Sequence, residues 1–218
     1  MINKTKKMTT LALLCALAYI AVFVSRFFPP LFTAFPFLKY DPKDVVIVIA
    51  GFLYGPLSSL SVSVAVSLIE MLTVSGTHII GCLMNIASTC AFSCIAAAVY
   101  FRVRSLKGGC IGLVLGTVCC VMTMIVLNYL LTPIYTGMPR EAVVKLLVPA
   151  ILPFNIIKCT LNSALVMLLY KPIVRILRSR GMVEKRSYAG STVNNMVVMT
   201  VALFFIGMCV CAVMIINS

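Results

Sequence analysis

Long apolar runs dominate this chain and decide what it can fold into. They cover residues 8–24, 57–74, 79–101, 111–131, 146–170 and 196–216, with a shorter one at 45–54. About 20 such residues carry a helix across a bilayer. Open strands cannot cross, because their edges leave backbone groups unsatisfied in lipid. The runs therefore predict an all-α integral membrane protein. Composition agrees: 62% of residues are hydrophobic and only 11% are charged, against roughly 25% charged in a soluble domain. With no Trp, any aromatic belt at the membrane surface must come from Tyr and Phe.

The run at 45–54 is too short to cross alone. It stops at Gly55-Pro56, because Pro cannot continue a helix interior. Its start carries Asp41 as N-cap, Pro42 at the first helical position and Asp44 at the third. This pattern predicts a short, partly buried helix packed on its neighbours.

The net charge of +13 could suggest a nucleic-acid partner, but its placement argues otherwise. With the N-terminus in the cytoplasm, the inner segments carry Lys4, Lys6, Lys7, Arg102, Arg104, Lys107, Lys171, Arg175, Arg178, Arg180, Lys185 and Arg186, opposed only by Glu184. The outer segments hold Arg26, Lys39, Lys43, Arg140 and Lys145 against Asp41, Asp44, Glu70 and Glu141. That asymmetry is the positive-inside signature of a multi-pass protein, strengthened by anionic lipid. It needs no nucleic acid, and it requires 45–54 to count as a crossing element. The basic N-terminus, apolar run and Ala16-Leu17-Ala18 imitate a secretory signal. The run continues to Val24, so a retained first helix is expected.

Sites for covalent chemistry are not evident. The ten Cys lie mostly inside apolar runs without a CxxC, and His78 is the sole histidine. Packing is the expected role for these thiols, and no metal or cofactor is expected. GxxxxGK[ST], HExxH and GxSxG are missing. The chain carries no catalytic residues on this reading, and uphill transport would need energy from another subunit.

Polar residues inside the runs are therefore the candidates for function. Lys158 lies about ten residues into the run at 146–170, within Pro153-Phe154-Asn155-Ile156-Ile157-Lys158. A lysine at that depth costs about 2.5–3.5 kcal/mol on insertion scales. It either snorkels to the surface or serves a buried ligand. Asn155 shares its helix face, and the pair offers hydrogen-bond donors plus an amide acceptor. Asn128, followed by Tyr129, sits near the outer end of the run at 111–131, as ligand contact or interhelical glue. Lys158→Ala is expected to weaken binding while leaving the fold intact. The loop 26–40 packs five Phe and three Pro, either to anchor at the interface or to close over a flat ligand. Ala12 and Ala16, one helical turn apart, allow another helix to approach closely.

Four stretches in order carry a family resemblance: Lys39-Tyr40-Asp41-Pro42-Lys43-Asp44, Gly51-Phe52-Leu53-Tyr54-Gly55-Pro56, Asn128-Tyr129 with Pro133-Ile134-Tyr135, and Leu152-Pro153-Phe154-Asn155-Ile156-Ile157-Lys158. Over about residues 8–180 the chain resembles the riboflavin-specific S components of energy-coupling factor (ECF) transporters. The resemblance implies a six-helix S-component bundle with a short second helix and an outward pocket capped by the first loop. It implies riboflavin, or FMN, as transported ligand, held by Asn128, Asn155 and Lys158 with Phe37, Leu38 and Tyr40 from the loop. It implies that Ala12 and Ala16 pack on a membrane T component driven by two ATPase subunits, and that the S component topples in the bacterial cell membrane to release its vitamin inward.

Residues 1–182 would form this membrane domain, 183–195 a polar linker and 196–216 an additional C-terminal transmembrane helix beyond the family pattern. His78, in a loop where a smaller residue is expected, has no assigned role. An S component for another vitamin, such as thiamine or a pyridoxal-like compound, keeps the fold and changes the ligand. A membrane enzyme or a channel is the other class of reading. Scarce intramembrane acids oppose the enzyme, and the lack of a charged pore ring opposes the channel.

Overall fold

A computed structural model describes residues 4–31, 35, 38–74, 78–183, 202–203, 206–211 and 213–214 of the chain. The described residues are helical or irregular, with no strand among them. In chain order the helices are α1 (Lys4–Ser25), α2 (Lys43–Tyr54), α3 (Pro56–Thr73), α4 (His78–Arg102), α5 (Leu106–Thr136), α6 (Arg140–Leu146) and α7 (Leu152–Ser179). Five segments are long and apolar enough to cross a membrane, counting Arg140–Ser179 as one. With α2 they make the six-element bundle.

The local chemistry of α2 sets its place. Its start is uncapped: Pro42 precedes the helix, no side chain caps it, and Asp41 turns inward instead. Ten of its 12 residues are buried, so it is a central strut rather than the partly buried helix expected. Gly55, at φ 99°, breaks the chain, and Pro56 opens α3 where its missing N–H costs nothing. Around α2 lie two apolar clusters. Val48, Ile49 and Phe52 pack on Phe92, Ala96 and Leu113 of α4 and α5. Val46, Ile47 and Ala50 pack on Leu14 and Ala18 of α1 and Val62 and Val66 of α3.

The α4–α5 pair is the closest packing in the bundle, and glycine is the reason. A Cβ on Gly112 would lie 2.6 Å from the Ala96 carbonyl oxygen, and one on Gly116 would lie 2.4 Å from that of Phe92. Backbone therefore rests on backbone, as small residues permit between membrane helices. Helix α5 also outruns the expected 111–131. Ser105 accepts the Gly108 N–H at 3.1 Å to cap its start, and Gly137, at φ 73°, ends it. Pro133 is accommodated inside its last turn.

The expected span at 146–170 is interrupted. Residues Leu147–Ile151 form a wide π turn, in which the Leu152 N–H reaches Leu147 O. Pro149 and Pro153 remove two backbone donors there, which loosens the helix into that wider turn. The described part of 196–216 is helical at 202–203, 206–211 and 213–214. Cys209 is buried against Leu38, Ala150, Phe154 and Ile157. The polar linker lies outside the described residues from 184 onward.

Candidate functional site

At one end of the bundle, six charges meet below the surface. Arg26, just past α1, is bonded to Asp41 at 3.0 Å and also to Glu70 of α3. The other Glu70 oxygen takes Lys43 of α2 and, at 3.4 Å, the Asn85 amide of α4. Lys158 of α7 stands 3.3 Å from Asp44 and 3.9 Å from Asp41. Thr89 donates to Asp44 at 2.7 Å, and Asn162 reaches the same carboxylate at 3.3 Å. Three cations thus face three carboxylates, drawn from the α1–α2 connection, α2, α3 and α7. Charge so far from water persists only when paired and hydrogen-bonded. Around Asp41, burial works to raise the carboxyl pKa, but Lys43, Lys158 and Arg26 outweigh it and hold the group below its ordinary value. Burial, with the neighbouring Asp44, pushes the Tyr40 phenol up. Its hydroxyl donates to Asn162 at 2.7 Å.

Above this cluster lies a cavity of about 420 Å³. Arg26, Lys39, Asp41, Glu70 and Lys158 are its charged lining. Asn85, Ser88, Asn128 and Asn155 supply neutral polar groups, and Leu38, Met84, Met124, Tyr135 and Phe154 the apolar surface. The two amides expected from the sequence are set differently. Asn128 donates to Met124 O at 2.8 Å and accepts from Thr132 at 2.9 Å. Asn155 donates to Ile151 O at 2.8 Å, while its Oδ1 is buried with no partner. An orphaned acceptor of this kind costs roughly 1–3 kcal/mol unless a ligand supplies a donor.

Asn128, Asn155, Lys158 and Leu38 all line this one cavity. Tyr40 does not line it. It borders a separate hollow with Pro29 and Pro30 and buttresses the ion cluster through Asn162. Phe37 lies outside the described residues. His78 opens α4 instead of lying in a loop. Ala12 and Ala16 are exposed on α1, away from the cavity. Lys158 does not snorkel. Its ammonium is held by two carboxylates, so Lys158→Ala strands Asp44 and carries a stability cost that sequence reasoning omitted. The acids were the missed half of the site. Asp41 and Asp44 read as a helix start, and Glu70 read as a loop charge. Glu70, Asn85 and Ser88 interrupt apolar runs, the same signal that singled out Lys158.

Comparison with known proteins adds an independent line. The family model described as ECF transporter, substrate-specific component matches residues 6–170. The riboflavin transporter RibU of Staphylococcus aureus (strain TCH60) is 30% identical over 182 residues, covering 81% of this chain and 94% of that protein. The riboflavin transporter FmnP of Bacillus subtilis (strain 168) is 29% identical over 189 residues, covering 81% and 97%. A solved S component of a bacterial ECF transporter superposes with a TM-score of 0.68 at 29% identity, over 81% of this chain and 99% of that one.

Proposed function

The chain belongs to the family of ECF transporter substrate-specific components, and on that premise we propose that it captures riboflavin in the cavity above the ion cluster. The partnerless Asn155 oxygen carries the reading. Beside that oxygen the same amide keeps one N–H uncommitted, since only one is needed for Ile151. A donor and an acceptor side by side complement the pyrimidine edge of a flavin, where carbonyl and N–H alternate. Met84, Met124, Tyr135 and Phe154 give the flat ring an apolar bed. Asn128 and Asn85 stand at the polar wall for the hydroxylated chain.

The ion cluster organises this pocket rather than reacting in it. Lys158, fixed between Asp44 and Asp41, cannot swing, so the α7 face that carries Asn155 keeps one orientation. The π turn lets α7 present Asn155 and Lys158 on that face despite two prolines. Leu38 and Lys39, ahead of α2, lie on the cavity wall.

Delivery requires partners. The N-terminus lies in the cytoplasm on the positive-inside pattern, and the cavity opens to the outside. Ala12 and Ala16 sit on an exposed stripe of α1 with Leu13, Leu17 and Ile20. This is a surface on which a T component helix can pack closely, with ATP hydrolysis supplied by two further subunits.

Titration of the detergent-purified protein with riboflavin tests the ligand, read by quenching of flavin fluorescence. Saturable one-to-one quenching is expected. A folded sample that leaves the fluorescence unchanged overturns riboflavin as the cargo.

A further inference from the structure

The described residues of the C-terminal segment lie outside the family match, which ends at residue 170, yet they pack beside the ligand cavity. Ala202, Ile206, Cys209 and Val213 follow one another at i, i+4, i+7 and i+11, and each is buried or half-buried. Leu203, Val210 and Met214, between and beyond them, are more than half exposed. One helix face is thus turned to protein and the rest to lipid. The α7 side answers in the same spacing. Ala150, Phe154, Ile157 and Leu161 make one apolar cluster with Cys209 and Val213, and the Cys209 thiol reaches the Ile157 carbonyl oxygen at 3.9 Å. Matched stripes of this period let two helices interlock side by side.

Two features tie this contact to the bound solute. Leu31, Phe35 and Leu38 of the first loop join the same cluster, and Leu38 and Phe154 also line the cavity. The contact also spans the weak point of the α7 segment. Ala150 lies inside the π turn and Phe154 just beyond it, where two prolines have removed backbone donors. Lipid covers such a surface equally well, since acyl chains are as apolar as leucine. Fluid chains do not fix it. A packed helix holds Phe154 in one rotamer and the adjoining Asn155 at one depth.

We propose that the C-terminal helix is a splint for the ligand site: through Cys209 and Val213 it positions Leu38 and Phe154, and so lengthens the residence of the bound solute. Cys209 and Val213 act through those two wall residues and are positioning residues. The effect on residence rests on riboflavin being the cargo; the effect on the π turn does not. A wall that opens less often releases its ligand more slowly, and differences of this kind fall on release rather than capture.

Stopped-flow release of riboflavin from the full chain in lipid nanodiscs tests it, paired with hydrogen exchange over residues 147–155 in the empty protein. Cys209→Phe overfills the contact and should speed release about tenfold. Capture should stay within about twofold, and exchange over 147–155 should rise. Cys211→Phe places the same bulk on the exposed face of the same helix and should change neither reading. Cys209→Ala with Val213→Ala empties the contact instead and should act in the same direction. That pair takes the place of Cys209→Phe should the larger side chain prevent folding. Unchanged release and exchange in a folded variant overturn the proposal. Equal effects of Cys211→Phe make the response a general disturbance of the helix and overturn it too. A folded native chain that leaves riboflavin fluorescence unquenched overturns the cargo instead. Exchange over 147–155 then decides, and its indifference to Cys209→Phe overturns the splint.

Discussion

The two ends of this bundle solve opposite electrostatic problems. At one end, Arg26, Lys43 and Lys158 are matched by Asp41, Asp44 and Glu70 beneath a polar cavity. At the other, Arg104, Lys171, Arg175 and Arg178 ring an aromatic cavity with no acid in its described lining. The difference follows from solvent. Below the surface of a membrane-crossing bundle an unmatched charge is unaffordable, so each cation there needs a carboxylate. Arg104 and Arg175 at the other end are exposed, so water screens them and no buried carboxylate has to sit beside them. Charge count alone therefore says little. Depth decides whether a charge requires a partner within the fold.

The sharpest way to break this comparison is to remove one charge from each end. Asp44→Ala leaves Lys158 without its nearest partner, and a loss of about 3–5 kcal/mol is expected, read as a fall in the thermal unfolding temperature. Arg102→Gln at the basic end should change stability by less than about 0.5 kcal/mol. Equal effects at the two ends would mean that the cluster is wet and the contrast unfounded. Next in size is a change that spares the ions. Asn155→Ala should weaken riboflavin binding about tenfold or more, because a buried hydrogen bond to the ligand is worth roughly 1–3 kcal/mol when its partner is stranded. The unfolding temperature of the empty protein should hold or rise, since the orphaned oxygen is gone. Unchanged affinity would take Asn155 out of the site.

A smaller, pH-dependent effect belongs to Asp41. Its folded-state pKa is depressed, so its contribution is complete above the ordinary carboxyl value of about 4 and fades as pH falls through the folded value. The stability gap between the native chain and Asp41→Asn should be widest near neutral pH and close in acid. A gap that widens in acid would contradict the depressed value. Least of all, 1 M salt should leave the cluster's contribution to the unfolding temperature almost unchanged, because only exposed charges are screened.

The legible parts of the molecule were those where one physical demand acts alone. Apolar length gave the spans, Gly55-Pro56 gave the end of α2, and lone polar residues in apolar runs gave Asn128, Asn155 and Lys158, while Leu38 came only from the family resemblance. The unread parts came from demands that pair distant segments. Asp41 and Asp44 carry a local helix-start signal, and that signal masked their role as counter-ions to a lysine more than a hundred residues away. Tyr40 lies in the right loop, but its hydroxyl is claimed by Asn162 rather than by the cavity. The π turn also escaped, since Pro149 and Pro153 mark an irregularity without specifying its shape.

The brevity of α2 has one more consequence. Its 12 residues rise only about 18 Å at 1.5 Å each, against a hydrocarbon layer of about 30 Å. The helix therefore covers little more than half of that depth, and Asp41, two residues before its start, lies on the wall of the ligand chamber. The protein ends a helix short and places ions where it ends. On this view the cargo is a surrogate for absent turns of polypeptide, and extending α2 by two or three turns would plug the chamber with the protein's own backbone.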